Sequence, residues 1–172
     1  MKLAQGKEMR VISQQELKEK LFYDPLTGIF TRIKATGTSK IGDMAGCLSK
    51  TGGYIYISLN NKRYLAHRLA WLYQTGIMPK DMIDHKNEIK TDNRICNLRE
   101  ANKSQNMQNQ NKPQKSNKSG LRGVSFHSQA NKYAAEIIVD GNRKRLGLFA
   151  TPELASAAYI EAKRQYHEFC TI

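Results

Sequence analysis

The sequence has little of several features that usually reveal the class of a protein. Its 172 residues include only three cysteines, Cys47, Cys96 and Cys170, which are far apart and form no C-x-x-C pair. A disulfide framework or a structural zinc site is therefore not expected, and three reduced thiols fit a cytoplasmic protein. No apolar run approaches the roughly 18 to 20 residues that a membrane-spanning helix requires. We expect a soluble, intracellular protein without a membrane partner.

Acidic residues are scarce relative to basic ones. The chain carries 28 lysines and arginines against 15 acidic residues, which gives a net charge of +13. Neutralising the phosphates of a nucleic acid requires an excess of this kind. An anionic membrane surface is the alternative, but it would call for a basic amphipathic helix, and the sequence has no strong one. Nucleic acid is therefore the expected partner.

The apolar pattern predicts an α+β chain whose first part contains β-hairpins. A helix is expected over 13–22, with Ser13 as its N-cap and Glu16 completing a capping box. A turn ending at Gly28 and a hairpin at Asn60-Asn61 follow. The predicted strands and the next helix cover 29–33, 54–59, 62–66 and 67–73.

From residue 81 the pattern becomes a strand, a polar loop, a second strand and a helix. A strand ending at Met82-Ile83 delivers Asp84 and His85, and a brief strand over 97–99 precedes a polar helix over 104–110. That helix has almost no apolar face, so it must be held by its neighbours or by a bound ion.

The composition changes again after this helix. Residues 112–119 have nothing to bury and are predicted to be a linker between a domain at 1–111 and a domain at 120–172. The second domain is predicted to be three antiparallel strands packed on one helix. Five residues are expected to face that helix: Tyr133, Ala135, Ile137, Leu146 and Leu148.

The window from residue 84 to residue 106 contains the residue types that phosphodiester hydrolysis requires. Asp84 can bind Mg²⁺ or another divalent cation such as Mn²⁺ through a carboxylate oxygen, and Asn106 can do so through its amide oxygen. His85 has an ordinary pKa of about 6.5 and can accept a proton from water. Asn97 is expected to clamp the loop and orient the imidazole through backbone hydrogen bonds, and Arg99 is expected to contact a phosphate.

These residues resemble the HNH endonucleases of phages and mobile introns. The resemblance rests on Asp84-His85, Asn97-Leu98-Arg99, Asn106 and the upstream His67-Arg68-Leu69-Ala70. It implies a ββα-metal fold, Asp84 and Asn106 as metal ligands, His85 as the base and Asn97 as the positioning amide. Arg68 is a candidate DNA contact. His67 is expected to make hydrogen bonds within the fold, with DNA contact or proximity to the metal as the alternative.

The second domain resembles the DNA-binding domain of plant ethylene-response factors. The resemblance covers roughly 119–165 and rests on Leu121-Arg122-Gly123-Val124, on residues 132–137, on Leu146-Gly147-Leu148-Phe149 and on residues 151–159. It implies that the sheet lies in the major groove of DNA. Arg122, Arg143 and Arg145 are the expected DNA contacts, whether to guanine edges or to phosphates.

Together these patterns predict a metal-dependent endonuclease that acts on double-stranded DNA. The first domain would cut and the second would anchor the substrate, as in a homing enzyme of a phage or mobile element. The main alternative is a non-catalytic, sequence-specific DNA-binding protein with an inactive nuclease motif. The presence of Asp84, His85 and Asn106 together favours catalysis.

Overall fold

Short helices and small antiparallel sheets alternate along the chain. A computed structural model describes residues 11–114 and 116–171. The α-helices of this described part are α1 (Gln14–Lys18), α2 (Ala66–Thr75), α3 (Lys103–Asn109) and α4 (Pro152–Tyr166). Its strands are β1 (Leu21–Asp24), β2 (Ile29–Arg32), β3 (Cys47–Leu48), β4 (Ile55–Leu59), β5 (Lys62–Leu65), β6 (Met82–His85), β7 (Leu98–Ala101), β8 (Val124–His127), β9 (Lys132–Val139) and β10 (Asn142–Phe149). The predicted α+β class is confirmed.

The chain folds into two units. Unit 1 contains the chain up to His85 together with Ile89–Glu100, and unit 2 contains Lys86–Glu88 and the chain from Ala101 onward. α3 thus belongs to the same unit as the C-terminal sheet and α4. The division into a nuclease domain at 1–111 and a DNA-binding domain at 120–172 stays a prediction. Among the residues that the structure describes, no helix is both long enough and apolar enough to cross a membrane.

An apolar core holds unit 1 together. β1 pairs antiparallel with β2, and a second antiparallel sheet has the strand order β3-β4-β5. Asn60 and Asn61 connect β4 to β5 with φ values of 52° and 59°, which a type I′ hairpin turn requires. Fully or almost fully buried side chains from α1, both sheets and α2 form the centre of the core: Leu17, Leu21, Phe30, Ile57, Leu69 and Ala70.

The first helix is shorter than predicted. The hydroxyl of Ser13 accepts a hydrogen bond from the backbone N–H of Glu16, which confirms Ser13 as the N-cap. The carboxylate of Glu16, predicted to complete a capping box, accepts from the side chain of Asn60. α1 nevertheless ends at Lys18, because the chain enters β1 at Leu21. Leu21 and Tyr23 are buried while the intervening Phe22 is exposed, which is the alternation of a strand. The predicted end of this helix at residue 22 was wrong.

The segment from β6 to α3 has the predicted order. β6 and β7 form a two-stranded sheet, and α3 follows β7 directly. A short 3-10 helix at Ile95–Asn97 leads into β7. α3 begins with a capping box that was not among the predicted caps. The side chain of Asn102 accepts from the backbone N–H of Gln105, and the side chain of Gln105 accepts from the backbone N–H of Asn102.

Unit 2 contains the predicted three-stranded sheet packed on one helix. The strand order is β10-β9-β8, and all pairs are antiparallel. Small and apolar residues of the sheet and of α4 make the contact: Val124, Ala135, Ile137, Ala155, Tyr159 and Ala162. The hydroxyl of Thr151 accepts from the backbone N–H of Leu154 and caps α4, as predicted.

One side chain of this sheet faces the opposite way from the prediction. Leu148 was expected to face the helix, but it is exposed, and Phe149 packs in the core instead. The register of β10 against β9 shifts between Arg145 and Gly147. Such a bulge adds a residue to one strand and reverses the alternation beyond it. Glu136, Arg143 and Arg145 lie before the bulge.

The predicted linker ends in ordered structure. The side-chain amide of Asn117 donates to the carbonyl oxygens of Leu121, at 2.8 Å, and Val124, at 3.2 Å. The hydroxyl of Ser119 lies 2.8 Å from the same Val124 oxygen. Residues 117–119 are therefore tied to the start of β8, so this end of the predicted linker is held by hydrogen bonds.

We expect Gly28→Ala to destabilise the protein more than Gly37→Ala. Both glycines have positive φ, at 74° and 58°. A Cβ at Gly28 would lie 2.5 Å from the backbone nitrogen of Arg94, whereas nothing lies within 4 Å of a Cβ at Gly37. The extra loss in unfolding free energy should be about 2 kcal/mol, because the clash is with main-chain atoms. Urea denaturation measures it, and equal losses would contradict the assigned packing.

Candidate active site

β6 carries the two central residues of the candidate site into the interior of unit 1. Ile83 anchors the strand in the apolar core. Asp84 and His85 follow it and are only 6% and 4% exposed. Ionisable side chains are rarely this buried unless they are paired or hydrogen-bonded. Each of the two therefore requires a partner inside the fold.

The partner of His85 is a side chain that the sequence analysis did not single out. Nε2 of His85 lies 3.2 Å from Oδ1 of Asn93, which is 1% exposed. An amide oxygen only accepts hydrogen bonds, so Nε2 is the nitrogen that carries the hydrogen in this contact. Nδ1 is then the basic nitrogen of the neutral ring. Asn93 therefore selects the tautomer of His85.

The β1–β2 hairpin holds Asn93 in place. The hydroxyl of Tyr23 donates to the backbone oxygen of Asn93 at 2.7 Å, and both residues are buried. Burial raises the pKa of Tyr23, which keeps this hydroxyl protonated as a donor. The backbone of Gly28 packs directly on residues 93 and 94. The loop that orients His85 is therefore fixed by a distant part of unit 1.

The partner of Asp84 is Arg99 on the neighbouring strand β7. Nε and one terminal nitrogen of Arg99 lie 3.0 and 2.9 Å from Oδ2 of Asp84. Both side chains are largely buried, so solvent screens the ion pair only weakly. The pair compensates the charge of a buried carboxylate and limits its rotation. Arg99 was predicted to contact a phosphate; in this structure its guanidinium binds Asp84.

Asn97 makes a hydrogen bond to the backbone of the loop that follows β6. Its side-chain amide donates to the backbone oxygen of Asp92 at 2.8 Å. Asp92 precedes Asn93, so this bond fixes the part of the loop that carries the direct partner of His85. The arrangement is compatible with the predicted clamping role of Asn97.

The rings of Tyr54 and His67 pack against the ring of His85. The ring centroids of His67 and His85 are 5.0 Å apart, and that of Tyr54 lies 5.2 Å from His67 and 6.0 Å from His85. The side-chain nitrogen of Lys90 lies over the Tyr54 ring at 4.7 Å from its centroid. The cluster excludes water from one face of the imidazole and is built from residues that are distant in sequence.

Burial favours the neutral form of both histidines by lowering the pKa of each. It lowers the pKa of His67 from 6.5 to about 3, and the nearby His85 and Arg68 lower it further. Burial also lowers the pKa of His85, although Asn93, Asp84 and Asp92 oppose the shift. His67 is buried and its Nδ1 makes no hydrogen bond within the described part of the chain. A neutral His85 is the form that can accept a proton.

The two predicted metal ligands lie on different units. Asp84 lies on β6 of unit 1, and Asn106 lies on α3 of unit 2. A carboxylate oxygen and an amide oxygen are hard donors, which fits Mg²⁺ or Mn²⁺ better than zinc. The described residues include no group of three or more His, Cys, Asp or Glu side chains placed to hold a metal. Joint coordination by Asp84 and Asn106 stays a prediction.

Arg68 is bound to the protein itself. Its guanidinium donates to the backbone oxygen of Asp81 at 2.7 Å and also to that of Pro79. These bonds tie α2 to the segment that leads into β6. The structure thus gives Arg68 a role in placing the candidate site, and its predicted contact with DNA stays a prediction.

The three predicted DNA contacts of unit 2 lie in two environments. The guanidinium of Arg122 donates to protein oxygens through each of its three nitrogens. Arg143 and Arg145 lie on the exposed side of β10, where they flank Glu136 at 3.3 and 3.7 Å. That side is opposite the one covered by α4, as the alternation predicted. Arg143 and Arg145 are the accessible pair.

Comparison with known proteins finds a match for the segment that contains Asp84, His85, Asn97 and Asn106. Residues 64–108 match the family model described as HNH endonuclease. The chain is also similar to a solved structure described as "DNA binding and cleavage by the HNH homing endonuclease I-HmuI". That match has 24% identity and a TM-score of 0.45, and covers 80% of this chain and 77% of that chain. No curated protein matches the chain.

The matched segment is similar to HNH endonucleases, and this match supports the predicted enzyme class, a hydrolase that cleaves DNA. It begins at Tyr64 and therefore includes His67, β6, β7 and most of α3. Asn93 lies within it as well. Nothing in a polar loop distinguishes Asn93 from its neighbouring amides, so only the fold identifies it as the partner of His85.

We expect His67 to make stability depend on pH. Its pKa is lower in the folded protein than in the unfolded chain, so its contribution is complete above about pH 6.5 and is lost as the pH falls toward 3. One proton taken up on unfolding corresponds to a slope of about 1.4 kcal/mol per pH unit. His67→Phe should remove that slope between roughly pH 6 and pH 4.

Urea denaturation at a series of pH values measures this slope. Ala70→Gly, a change at a buried position of the same helix that adds no titratable group, is the matched control and should keep the wild-type slope. A His67→Phe variant with the wild-type slope would show that His67 is not buried as a neutral ring.

Proposed function

We propose that this chain is a metal-dependent DNA endonuclease of the homing type, encoded by a phage or a mobile element. One observation carries the proposal. The buried imidazole of His85, whose pKa is lowered by burial, contacts Asn93 through Nε2, next to the Asp84–Arg99 ion pair and inside the segment that matches the HNH endonuclease family model. Neither a structural protein nor a simple binding module requires an imidazole that is kept neutral and oriented in this way.

His85 is the general base of the proposed reaction. Its neutral ring accepts a proton from the attacking water at Nδ1, while Nε2 keeps its hydrogen bond to Asn93. The positive charge that develops on the ring is favoured by Asp84, the adjacent carboxylate in the strand. Asn93 acts as a positioning residue because it fixes which nitrogen takes the proton.

Asp84 and Asn106 are the proposed metal ligands. A divalent cation, when bound, supplies a Lewis acid that stabilises charge on the phosphate and on the leaving oxygen. Mg²⁺ is usually held by only one or two protein groups, with waters and substrate oxygens completing its shell. Arg99 holds the carboxylate of Asp84 through Oδ2 and so restricts the directions in which it can bind an ion.

Unit 2 is the proposed DNA anchor. The net charge of +13 favours a polyanion, and Arg143 and Arg145 present two guanidinium groups on an exposed sheet face. Glu136 lies between them and pairs with both guanidinium groups when DNA is absent. Arginine binds guanine edges as well as phosphates, so this face can contribute to the choice of site.

We expect the protein to nick or linearise supercoiled plasmid in the presence of Mg²⁺. EDTA should abolish the product, and so should His85→Ala, because no other group then accepts the proton. Agarose gel electrophoresis separates the plasmid forms. If wild-type protein retards DNA but yields no product with Mg²⁺ or Mn²⁺, the non-catalytic binding protein is the correct description.

We expect Arg143→Ala to weaken DNA binding by an amount that depends on salt. Loss of one phosphate contact should reduce the slope of log K against log salt by about 1. Arg164→Ala removes the same charge from an exposed position on α4, which covers the opposite side of the sheet, and should leave the slope unchanged. Fluorescence anisotropy with EDTA present measures both; equal effects would refute the proposed face.

A further inference from the structure

Helix α3 cannot be stable through its own residues. It has seven residues, KSQNMQN, and of these only Asn109 is buried. Isolated helices shorter than about 12 residues are marginal in water, and this one has no apolar stripe to pack. The capping box at Asn102 satisfies its first turn. The last turn needs donors from elsewhere in unit 2, because most of its carbonyl groups have no N–H partner within the helix. The backbone N–H of Gln110 donates to the oxygen of Met107 and satisfies one of them in part.

Arg122 supplies the first of these partners. One terminal nitrogen donates to the backbone oxygen of Met107 at 3.1 Å, and the other donates to that of Lys112 at 3.0 Å. Nε lies 3.2 Å from the hydroxyl of Tyr159 on α4. A cation at the C-terminus of a helix also interacts favourably with the helix dipole. Arg122 thus joins the end of α3 to α4.

Lys163 supplies the second partner. It lies on α4, is 1% exposed, and its ammonium group donates to the backbone oxygen of Gln110 at 3.0 Å and to Oδ1 of Asn111. Lysine is almost never buried to this degree unless its charge is paired. Burial lowers the pKa of Lys163, and the hydrogen bonds at the end of α3 offset part of the cost. A position that served packing alone would favour an apolar side chain.

The same region also holds the loop that follows His85. The backbone N–H of Asn111 donates to the carboxylate of Glu88 at 2.6 Å, and the amide of Asn109 donates to the backbone oxygen of Lys86 at 3.3 Å. The hydroxyl oxygen of Thr171 lies 2.7 Å from that Lys86 oxygen and 2.8 Å from Oδ1 of Asn109. Both chain segments of the HNH domain that enter unit 2 are therefore bound to the C-terminal part.

We propose that Arg122 and Lys163 are positioning residues of the nuclease, which hold α3, and with it Asn106, through the C-terminal module. The inference deepens the proposed function and rests on it for the role of Asn106. The C-terminal module is then part of the cleavage machinery as well as a DNA anchor. An intact module would be required for cutting even when DNA is already bound.

Hydrogen exchange of the full-length protein tests the contact without relying on activity. In Lys163→Met, backbone amides of residues 106–109 should exchange about 10- to 100-fold faster, because a charge-assisted hydrogen bond at the helix end is lost. Lys144→Met is the matched control. Lys144 also contacts α4, through the hydroxyl and ring of Tyr166, but within the described part of the chain it makes no hydrogen bond or ion pair with α3, so the exchange of α3 should not change. Unchanged exchange in Lys163→Met would overturn the proposal.

A second variant and a second measurement separate positioning from general stability. Arg122→Gln removes the bonds to Met107 and Lys112 while leaving Lys163 in place, and it should also speed exchange in α3. Both variants should lower kcat for plasmid cleavage by about 10- to 100-fold, as small displacements of catalytic groups do. The KM for DNA, and the affinity for DNA in EDTA, should each differ by less than about two-fold from the values of Lys144→Met. That control removes the same single positive charge, so the general attraction to phosphates is matched.

The outcomes distinguish this inference from the proposed function. Faster exchange with normal kcat would show that α3 is held but that its position does not matter for cutting, which overturns the positioning role. A wild-type protein without any cleavage would refute the proposed function, while the exchange data would still decide whether Lys163 holds α3.

Discussion

The hydrogen bond between His85 and Asn93 is the contact on which the candidate site depends. It exists because three separate parts of unit 1 converge on it. β6 buries the imidazole, the β1–β2 hairpin fixes the backbone of Asn93 through Tyr23, and Asn97 clamps the intervening loop. A neutral imidazole in one tautomer is a demanding arrangement, since a mobile, solvated ring would spend its time in several states. The apolar core of unit 1 therefore serves the chemistry directly.

Charged side chains have two different roles in this basic protein. Some hold backbone within the protein: the half-buried Arg68 binds the segment before β6, and the buried Lys163 binds the residues after α3. Arg99 compensates Asp84 in a largely buried pair. Others, such as Arg143, remain at the surface, where a phosphate can replace the carboxylate of Glu136 as the partner of the guanidinium. Net charge alone describes attraction to a polyanion, but it does not tell which cations are available for it.

Local patterns were sufficient wherever a few adjacent residues decide the structure. The hairpin at Asn60-Asn61, the capped start of α4 and the order of strand, loop, strand and helix after residue 81 were all predicted. Errors arose where distant contacts decide. The first helix ends early because Leu21 joins a sheet. Leu148 faces outward because a bulge between Arg145 and Gly147 reverses the alternation of β10. Neither event leaves a mark on short-range periodicity.

Residue types and spacing along the chain were enough to indicate a chemistry: the strongly basic charge, the Asp84-His85 pair, and amides that follow it in a segment similar to HNH endonucleases. Residue types and their spacing are local, so they can be read without coordinates. The folded structure was needed to find which amide contacts the imidazole and which side chains hold the polar helix α3. Asn93 is one of three asparagines between His85 and Leu98, and the sequence does not distinguish it from the other two. Lys163 lies more than fifty residues beyond α3. Such pairings arise when the chain folds, because burial leaves each polar group only the partners that packing brings to it.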